Sequence, residues 1–292
     1  MSISKKLMGT ACVLAAAFVA GPAAADTLAG FTAMVNADYT HTSVTSSSSQ
    51  PDLNTAGLGG AIAMPVDEIS GLNWQLDGQY NHAWVGGSGS SSSGSAEFWD
   101  LGFSPFWAGQ SGRVGLNVNY MTQTHFGHLT NGGLFTEWYF GNITAGFKGG
   151  WLSSGGTPTG GHGNYAGGAV TFYALPNLSV TGSADWYDLV SGHGCGSACG
   201  RTDTNNWDIS ALVEFLVSER FPLSIYGGFT YGTHHDTFFD TFLHAFVQEK
   251  FNTSTFLVGF HYYLGGGMPL IDLNRNGNLR PWLRGSGWEG PL

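Results

Sequence analysis

"LNWQLDGQYNHAWV", residues 72–85, alternates along its length: Leu72, Trp74, Leu76, Gly78, Tyr80, His82 and Trp84 fall on one face, and Asn73, Gln75, Asp77, Gln79 and Asn81 on the other. Successive side chains of an extended chain point to opposite faces, so this is a strand with one apolar face. Its polar face carries amides and a carboxylate in place of long charged side chains, and its apolar face has a tryptophan near each end. From Trp74 to Trp84 is ten residues, which at ~3.3 Å per residue and a tilt of about 40° spans roughly 25 Å. That is the height of the apolar band of a membrane barrel, and indole rings, apolar in body with one hydrogen-bonding edge, suit its two boundaries. Core tryptophans of a soluble sheet would account for burial but not for placement at both ends.

Composition points the same way. Only 10% of residues are charged, 14% are aromatic and 46 of 292 are glycine, against about 25% charged and 7% glycine in an ordinary soluble domain. So few charges would not keep the surface of a soluble protein of this size wet. The N-terminus has Lys5 and Lys6, an apolar run from Leu7 to Ala20, then Ala23-Ala24-Ala25 before Asp26, which is the order of parts in a secretory signal peptide over 1–25. Once it leaves, eight bases face twenty acids, a net charge of −12, which argues against nucleic acid as a partner. No stretch reaches ~18 consecutive apolar residues, so no transmembrane helix is expected. Cys12 leaves with the signal peptide, and Cys195 and Cys199 in "GHGCGSACGR" are expected to form a loop-closing disulfide in an exported protein.

Twelve strand-like segments follow one another, over about 28–40, 56–65, 72–85, 96–107, 113–123, 132–140, 143–152, 164–174, 177–189, 205–216, 221–233 and 253–264. Connections after the even-numbered segments are short and turn-like, such as "GN" and "LPN". Those after the odd-numbered ones are long, such as "GGSGSSSSGSA" and the span from His234 to Asn252. Greek-key sandwiches mix connection lengths, whereas an up-and-down barrel in an outer membrane has short periplasmic turns at one rim and long external loops at the other. The expected fold is therefore all-β, a transmembrane up-and-down antiparallel β-barrel of twelve strands, with ten or fourteen as alternatives.

With these features the chain resembles the Gram-negative outer-membrane β-barrel proteins, in particular the small porin-like members. The last strand partly matches their C-terminal assembly signal at Gly259, Tyr262 and Leu264, and departs from it in having Leu257 and in continuing past Leu264. The resemblance covers about 26–264, leaves 265–292 as a C-terminal periplasmic tail, and implies residence in the Gram-negative outer membrane after export with a cleaved signal peptide. It further implies contact with outer-membrane lipid and lipopolysaccharide, and with the barrel-assembly machinery during biogenesis. No cofactor is expected.

If the tryptophan-bearing phase faces lipid, Trp74, Trp84, Trp99 and Trp107 mark the membrane interfaces. The inward positions then carry Asp38, Asp77, Asp100, Glu137, Asp185, Asp208 and Glu214 against Arg113 and Lys148. Such a lumen favours cations if water fills it, and is a narrow, filled interior if the acids pair with the two bases and with amides. Within His234–Asn252, Phe239, Leu243, Phe246 and Val247 fall at helical spacing, so a short helix in the mouth competes with an aromatic hairpin that extends two strands. Eight histidines, including His41, His128 and His234, are expected in the long connections as solvated side chains, with no metal site.

"DLNRNGNL" from Asp272 resembles the first half of a calcium loop, but its twelfth position is Leu283 and not Glu, so no calcium site is expected. "HTS" at 41–43 resembles the His-x-Ser pair of outer-membrane phospholipases without the surrounding motif. No residue is assigned a catalytic role. Two functions stay open: a narrow, mildly cation-preferring channel for small solutes, and a non-conducting barrel that presents Ser/Gly-rich loops or meets a periplasmic partner through Arg275, Arg280 and Arg284.

Overall fold

A computed structural model describes residues 31–46, 52–66, 71–86, 95–123, 127–155, 160–191, 202–240, 245–264 and 268–276. Expectations for the signal peptide, for Cys195 and Cys199, and for Arg280 and Arg284 lie outside these residues.

Twelve antiparallel strands form one closed barrel. They are β1 (Thr32–Ser46), β2 (Asp52–Pro65), β3 (Leu72–Gly86), β4 (Ser95–Gly109), β5 (Gly112–Gln123) and β6 (Gly127–Phe140). They continue as β7 (Ile143–Gly155), β8 (Gly161–Leu175), β9 (Leu178–Ser191), β10 (Thr202–Leu216), β11 (Leu223–Asp240) and β12 (Ala245–Leu264). Each strand pairs with its neighbours in sequence, and β1 closes on β12 from Ala33 opposite Leu264 to Ser46 opposite Phe251. Closure leaves no strand edge, so the backbone of every strand bonds within the sheet, as a wall in hydrocarbon requires.

The two faces of the wall invert the usual sorting of side chains. Outward positions are apolar and exposed, as with Leu101, Phe103, Val114, Leu116, Leu134, Phe147, Val170, Ile209 and Phe256. Inward positions are buried and many are polar, as with Gln75, Asp77, Asn117, Asn119, Asn131, Thr171 and Ser224, with small apolar clusters among them. A continuous exposed apolar surface around a whole barrel fits lipid and not water. Aromatic contacts gather near both ends of the strands: Tyr80 lies 4.5 Å from Trp99, Tyr39 6.2 Å from Trp84 and Trp186 6.3 Å from Trp207 near one rim, while Phe221 lies 5.6 Å from Tyr262 at the other. In β3 the decisive parity is as read, with Asp77 buried inside and Leu76 45% exposed outside.

The strands run farther than expected at the rim of the long connections. In the described residues of the span from His234 to Asn252 there is no helix: β11 runs on to Asp240 and β12 starts at Ala245, with Phe238 opposite Val247, Phe239 opposite Phe246 and Asp240 opposite Ala245. A paired ribbon keeps its own backbone groups bonded beyond the membrane, which an isolated turn of helix at the same place would not do for its ends. Connections expected to be long are correspondingly shorter, and the contrast between the rims lies partly in strand overshoot. At the opposite rim the turn Gly141-Asn142 joins β6 to β7, and Gly141 takes φ 55°, the left-handed region that a tight hairpin demands.

A seven-residue helix, α1 (Leu270–Asn276), follows β12. Leu270 and Leu273 are buried in one cluster with Met34, Ala61, Leu216 and Tyr263, which are inward residues from the short-turn ends of β1, β2, β10 and β12. Residues 272–276 of the segment that resembles half a calcium loop lie in this helix.

Candidate functional site in the barrel interior

All nine ionisable residues picked out for the interior stand on inward positions, and the structure sorts them into three sets. The deepest toward the short turns is Arg113 on β5 and Glu137 on β6, which are register partners. The Arg113 guanidinium donates from Nε and Nη2 to Glu137 Oε2, each at 2.6 Å, with both side chains shut away from water. A buried pair of this kind stands only because each charge compensates the other. The second acid at this depth, Glu214, has no Arg or Lys in its shell: its Oε1 accepts from Ser224 at 2.5 Å and from the Tyr263 hydroxyl at 2.8 Å, and meets His261 Nδ1 at 2.9 Å.

The second set lies on the β7 to β11 wall. Lys148 Nζ reaches Asp185 Oδ1 at 2.8 Å, and Asp185 is the register partner of Asp208. Asp208 approaches His234 at 3.9 Å. His234 is not a solvated loop residue: it is 1% exposed, lies 3.0 Å from Thr253 Oγ1 through Nε2, and stacks on Phe251 with ring centroids 4.8 Å apart. Burial against an aromatic face gives the imidazole a structural place that its sequence neighbourhood did not suggest.

The third set is an amide and carboxylate ladder on β1 to β6. Gln79 donates to Asp38 at 3.3 Å and to Asn81 at 3.0 Å, Asn36 donates to Asp38 at 3.4 Å, Gln75 donates to Asp77 at 3.0 Å, and Asn119 donates to Asn131 at 2.8 Å. Asp100 is the register partner of Gln79 on the same wall. The inward glycine Gly102 leaves the space into which these groups converge: a Cβ there would run into Asn119 Oδ1 and Asp77 Oδ2. Two bases thus serve two of the seven acids, and Asp38, Asp77 and Glu214 are held by amides, hydroxyls and an imidazole.

Access differs along the axis. The Asp185 and Asp208 side chains are each 20% exposed, and Asp38, Gln79 and Asp100 also retain some exposure. Toward the short turns Gln75, Asn117, Thr144, Thr171 and Ser224 are all at 1% or below, so that half of the interior is filled, and toward the long connections Tyr187 and His234 are at 1% and Leu152 and Tyr165 at 4%. Filling is completed by α1. Arg113 Nη2 donates to the Asn274 carbonyl at 2.9 Å, Tyr139 to the Arg275 carbonyl at 3.2 Å, and Tyr263 to Asn274 Oδ1 at 3.4 Å. Arg275 donates to Thr144 Oγ1 at 3.1 Å and to the Ile143 carbonyl at 2.7 Å, while the Leu270 amide donates to the Pro176 carbonyl at 2.8 Å. The Arg275 guanidinium also lies over the Tyr139 ring at 4.8 Å and the Tyr173 ring at 5.6 Å.

Burial of the two leucines contributes about 3–6 kcal/mol and six hydrogen bonds about 1 kcal/mol each. Ordering the seven residues of α1 costs about 1–2 kcal/mol apiece. The two sides nearly cancel, so the helix is seated with little to spare.

The outward tryptophans frame this interior. Trp107 and Trp99 are 56% and 37% exposed on the lipid side, and Trp74 and Trp84 are half-buried on the same side. Apolar exterior, aromatic rims, closed twelve-stranded sheet and polar interior now stand together. The chain has the fold of the outer-membrane β-barrels. No protein-family model matches it, and neither does any curated protein. Among solved structures it is similar to the COG4313 outer membrane channel from Pseudomonas putida F1, at 10% identity and a TM-score of 0.54, with 80% of this chain and 95% of that chain covered. It is also similar to the KdgM porin in complex with disordered oligogalacturonate, at 9% identity and a TM-score of 0.42 over 78% of this chain and 98% of that one. A third similar structure is the beta domain of the Bordetella autotransporter BrkA, at 13% identity and a TM-score of 0.47 over 79% and 98%. At these identities the likeness is one of fold. In this fold the short-turn rim, where α1 sits, is the periplasmic one.

Sequence parity placed these nine acids and bases on the inward phase, but did not identify their partners. It missed His261, Tyr263 and Arg275, because nothing in the alternation distinguishes a side chain that lines the interior from one that clasps a helix there. Among the described residues no group of three or more His, Cys, Asp or Glu is placed to hold a metal ion.

Proposed function

We propose that this barrel is a narrow, cation-preferring channel for passive diffusion of small solutes across the outer membrane, and not an enzyme. The observation that supports it most is the inward placement of seven acids against two bases, Arg113 and Lys148, inside a wall that is apolar on its outer face. Fixed carboxylates between low-dielectric walls hold a negative potential that raises the local concentration of cations and lowers that of anions. One solved neighbour that shares the fold is named a channel. The surrounding partners in this reading are outer-membrane lipid and lipopolysaccharide, with the assembly machinery acting during biogenesis.

Asp38, Asp100 and Asp208 retain water access and carry the preference, whereas Glu137 and Glu214 are committed to the periplasmic end. Asp38→Asn with Asp208→Asn is therefore expected to lower the cation-to-anion permeability ratio at least twofold, read from reversal potentials in planar bilayers. An unchanged ratio would remove these two residues from the selectivity reading.

The filled periplasmic half favours a second reading, a non-conducting barrel with a structural or interaction role. Correctly folded protein that gives no conductance steps, with α1 seated or displaced, would decide for it.

A further inference from the structure

We infer that α1 is the channel's own stopper: it closes the periplasmic mouth in the resting chain, and its withdrawal opens the path. This inference rests on the channel reading for its consequence but on packing alone for its geometry. The contacts of α1 surround it. Hydrogen bonds and ring contacts come from β5 (Arg113), β6 (Tyr139), β7 (Ile143 and Thr144), β8 (Tyr173) and β12 (Tyr263), and its leucines share one buried cluster with Met34 of β1, Ala61 of β2 and Leu216 of β10. A helix that lay against one side of the mouth would touch two or three neighbouring strands; one that is tied to β5, β6, β7, β8 and β12 and shares a buried cluster with residues of β1, β2 and β10 crosses it.

The seat is also made for a detachable part. Leu270 and Leu273 fill an apolar patch at the short-turn end of the inner wall, apart from the inward clusters of Phe106 with Phe135 and of Leu152, Tyr165, Tyr187 and Leu189. Around that patch Arg113, Tyr139 and Tyr263 offer donors to the end of the helix, and Arg275 returns two donors to β7. The segment carries no strand pairing, so it leaves the mouth without opening the barrel sheet, and the near balance of its contacts against its ordering makes that withdrawal accessible.

The test uses the full mature chain with Leu270→Asp and Leu273→Asp, which place two carboxylates where the apolar patch now takes leucine. Retention of the heat-modifiable electrophoretic mobility of a closed barrel serves as the check on folding. Two readouts are compared with the unaltered chain. The first is the rate at which a bulky, polar maleimide labels Ala61→Cys, a residue 3% exposed in the α1 cluster, in a Cys195→Ser, Cys199→Ser background. The second is single-channel conductance in planar bilayers.

Labelling at least tenfold faster and conductance at least threefold larger in the double variant are expected. Equal labelling rates would overturn the inference, as would equal, non-zero conductances. Faster labelling with no conductance from either protein would uphold closure by α1 and count against the channel reading instead. Arg275→Ala, which removes the side-chain bonds to Thr144 and Ile143 and the stacking over the Tyr139 and Tyr173 rings without adding charge to the patch, is expected to move both readouts in the same direction by a smaller factor.

Discussion

Arg113→Met is expected to destabilise the barrel by about 3–5 kcal/mol, the usual cost of removing one partner from a buried ion pair. The change strands Glu137, which is 1% exposed and lies on the interior side of a wall backed by lipid. It also removes the donor to the Asn274 carbonyl, so α1 loosens together with the pair. The double replacement Arg113→Met, Glu137→Leu restores the match of polarity and is expected to recover most of the loss. The readout is the urea midpoint of unfolding in lipid vesicles, followed by tryptophan emission. A single variant within about 1 kcal/mol of the unaltered chain would mean that the pair is wetter than its geometry shows.

Leu101→Arg, at a position 63% exposed on the outer face, is expected to cost about 2–4 kcal/mol, whereas Val114→Arg is expected to cost about 0–1 kcal/mol. Leu101 is the register partner of Gly78, near the middle of the span between Trp74 and Trp84, and Val114 is the partner of Trp107 at the periplasmic rim. Both are apolar and similarly exposed, so hydrophobicity alone gives them one value; only depth in a bilayer separates them. Equal costs, measured by the same urea titration, would contradict the placement of the aromatic rims as membrane boundaries.

The sequence shows the facing of the wall plainly because alternation in a membrane barrel is enforced from both sides. Leu76 in the lumen or Asp77 in lipid would each be costly, so β3 could be read from one strand of residues. The long rim was harder. Phe238 and Phe239 stand next to one another, which breaks a clean period of two, and the spacing of Phe239, Leu243, Phe246 and Val247 imitates a helix. What settles the matter is the register of β11 on β12, a relation between two segments that neither displays alone. The pairing of Arg113 with Glu137 was hidden for the same reason, since it follows from the register of β5 on β6.

α1 had a local signal that the resemblance to a calcium loop obscured. Pro269 stands just before it, Leu270 and Leu273 are spaced for one helical face, and Gly277 follows its last residue, the usual order of a short helix with a proline start and a glycine stop. Its destination was not legible, because the apolar patch of Met34, Ala61 and Leu216 that receives it is assembled from the ends of three strands far apart in the chain.

The most direct measurement on the central claim is the reversal potential of the reconstituted protein under a tenfold potassium chloride gradient, taken for the unaltered chain and for Leu270→Asp, Leu273→Asp. The expected result is a shift toward the potassium equilibrium potential, with larger currents from the double variant. A shift toward the chloride potential, or no conductance steps from either heat-modifiable barrel, would contradict it.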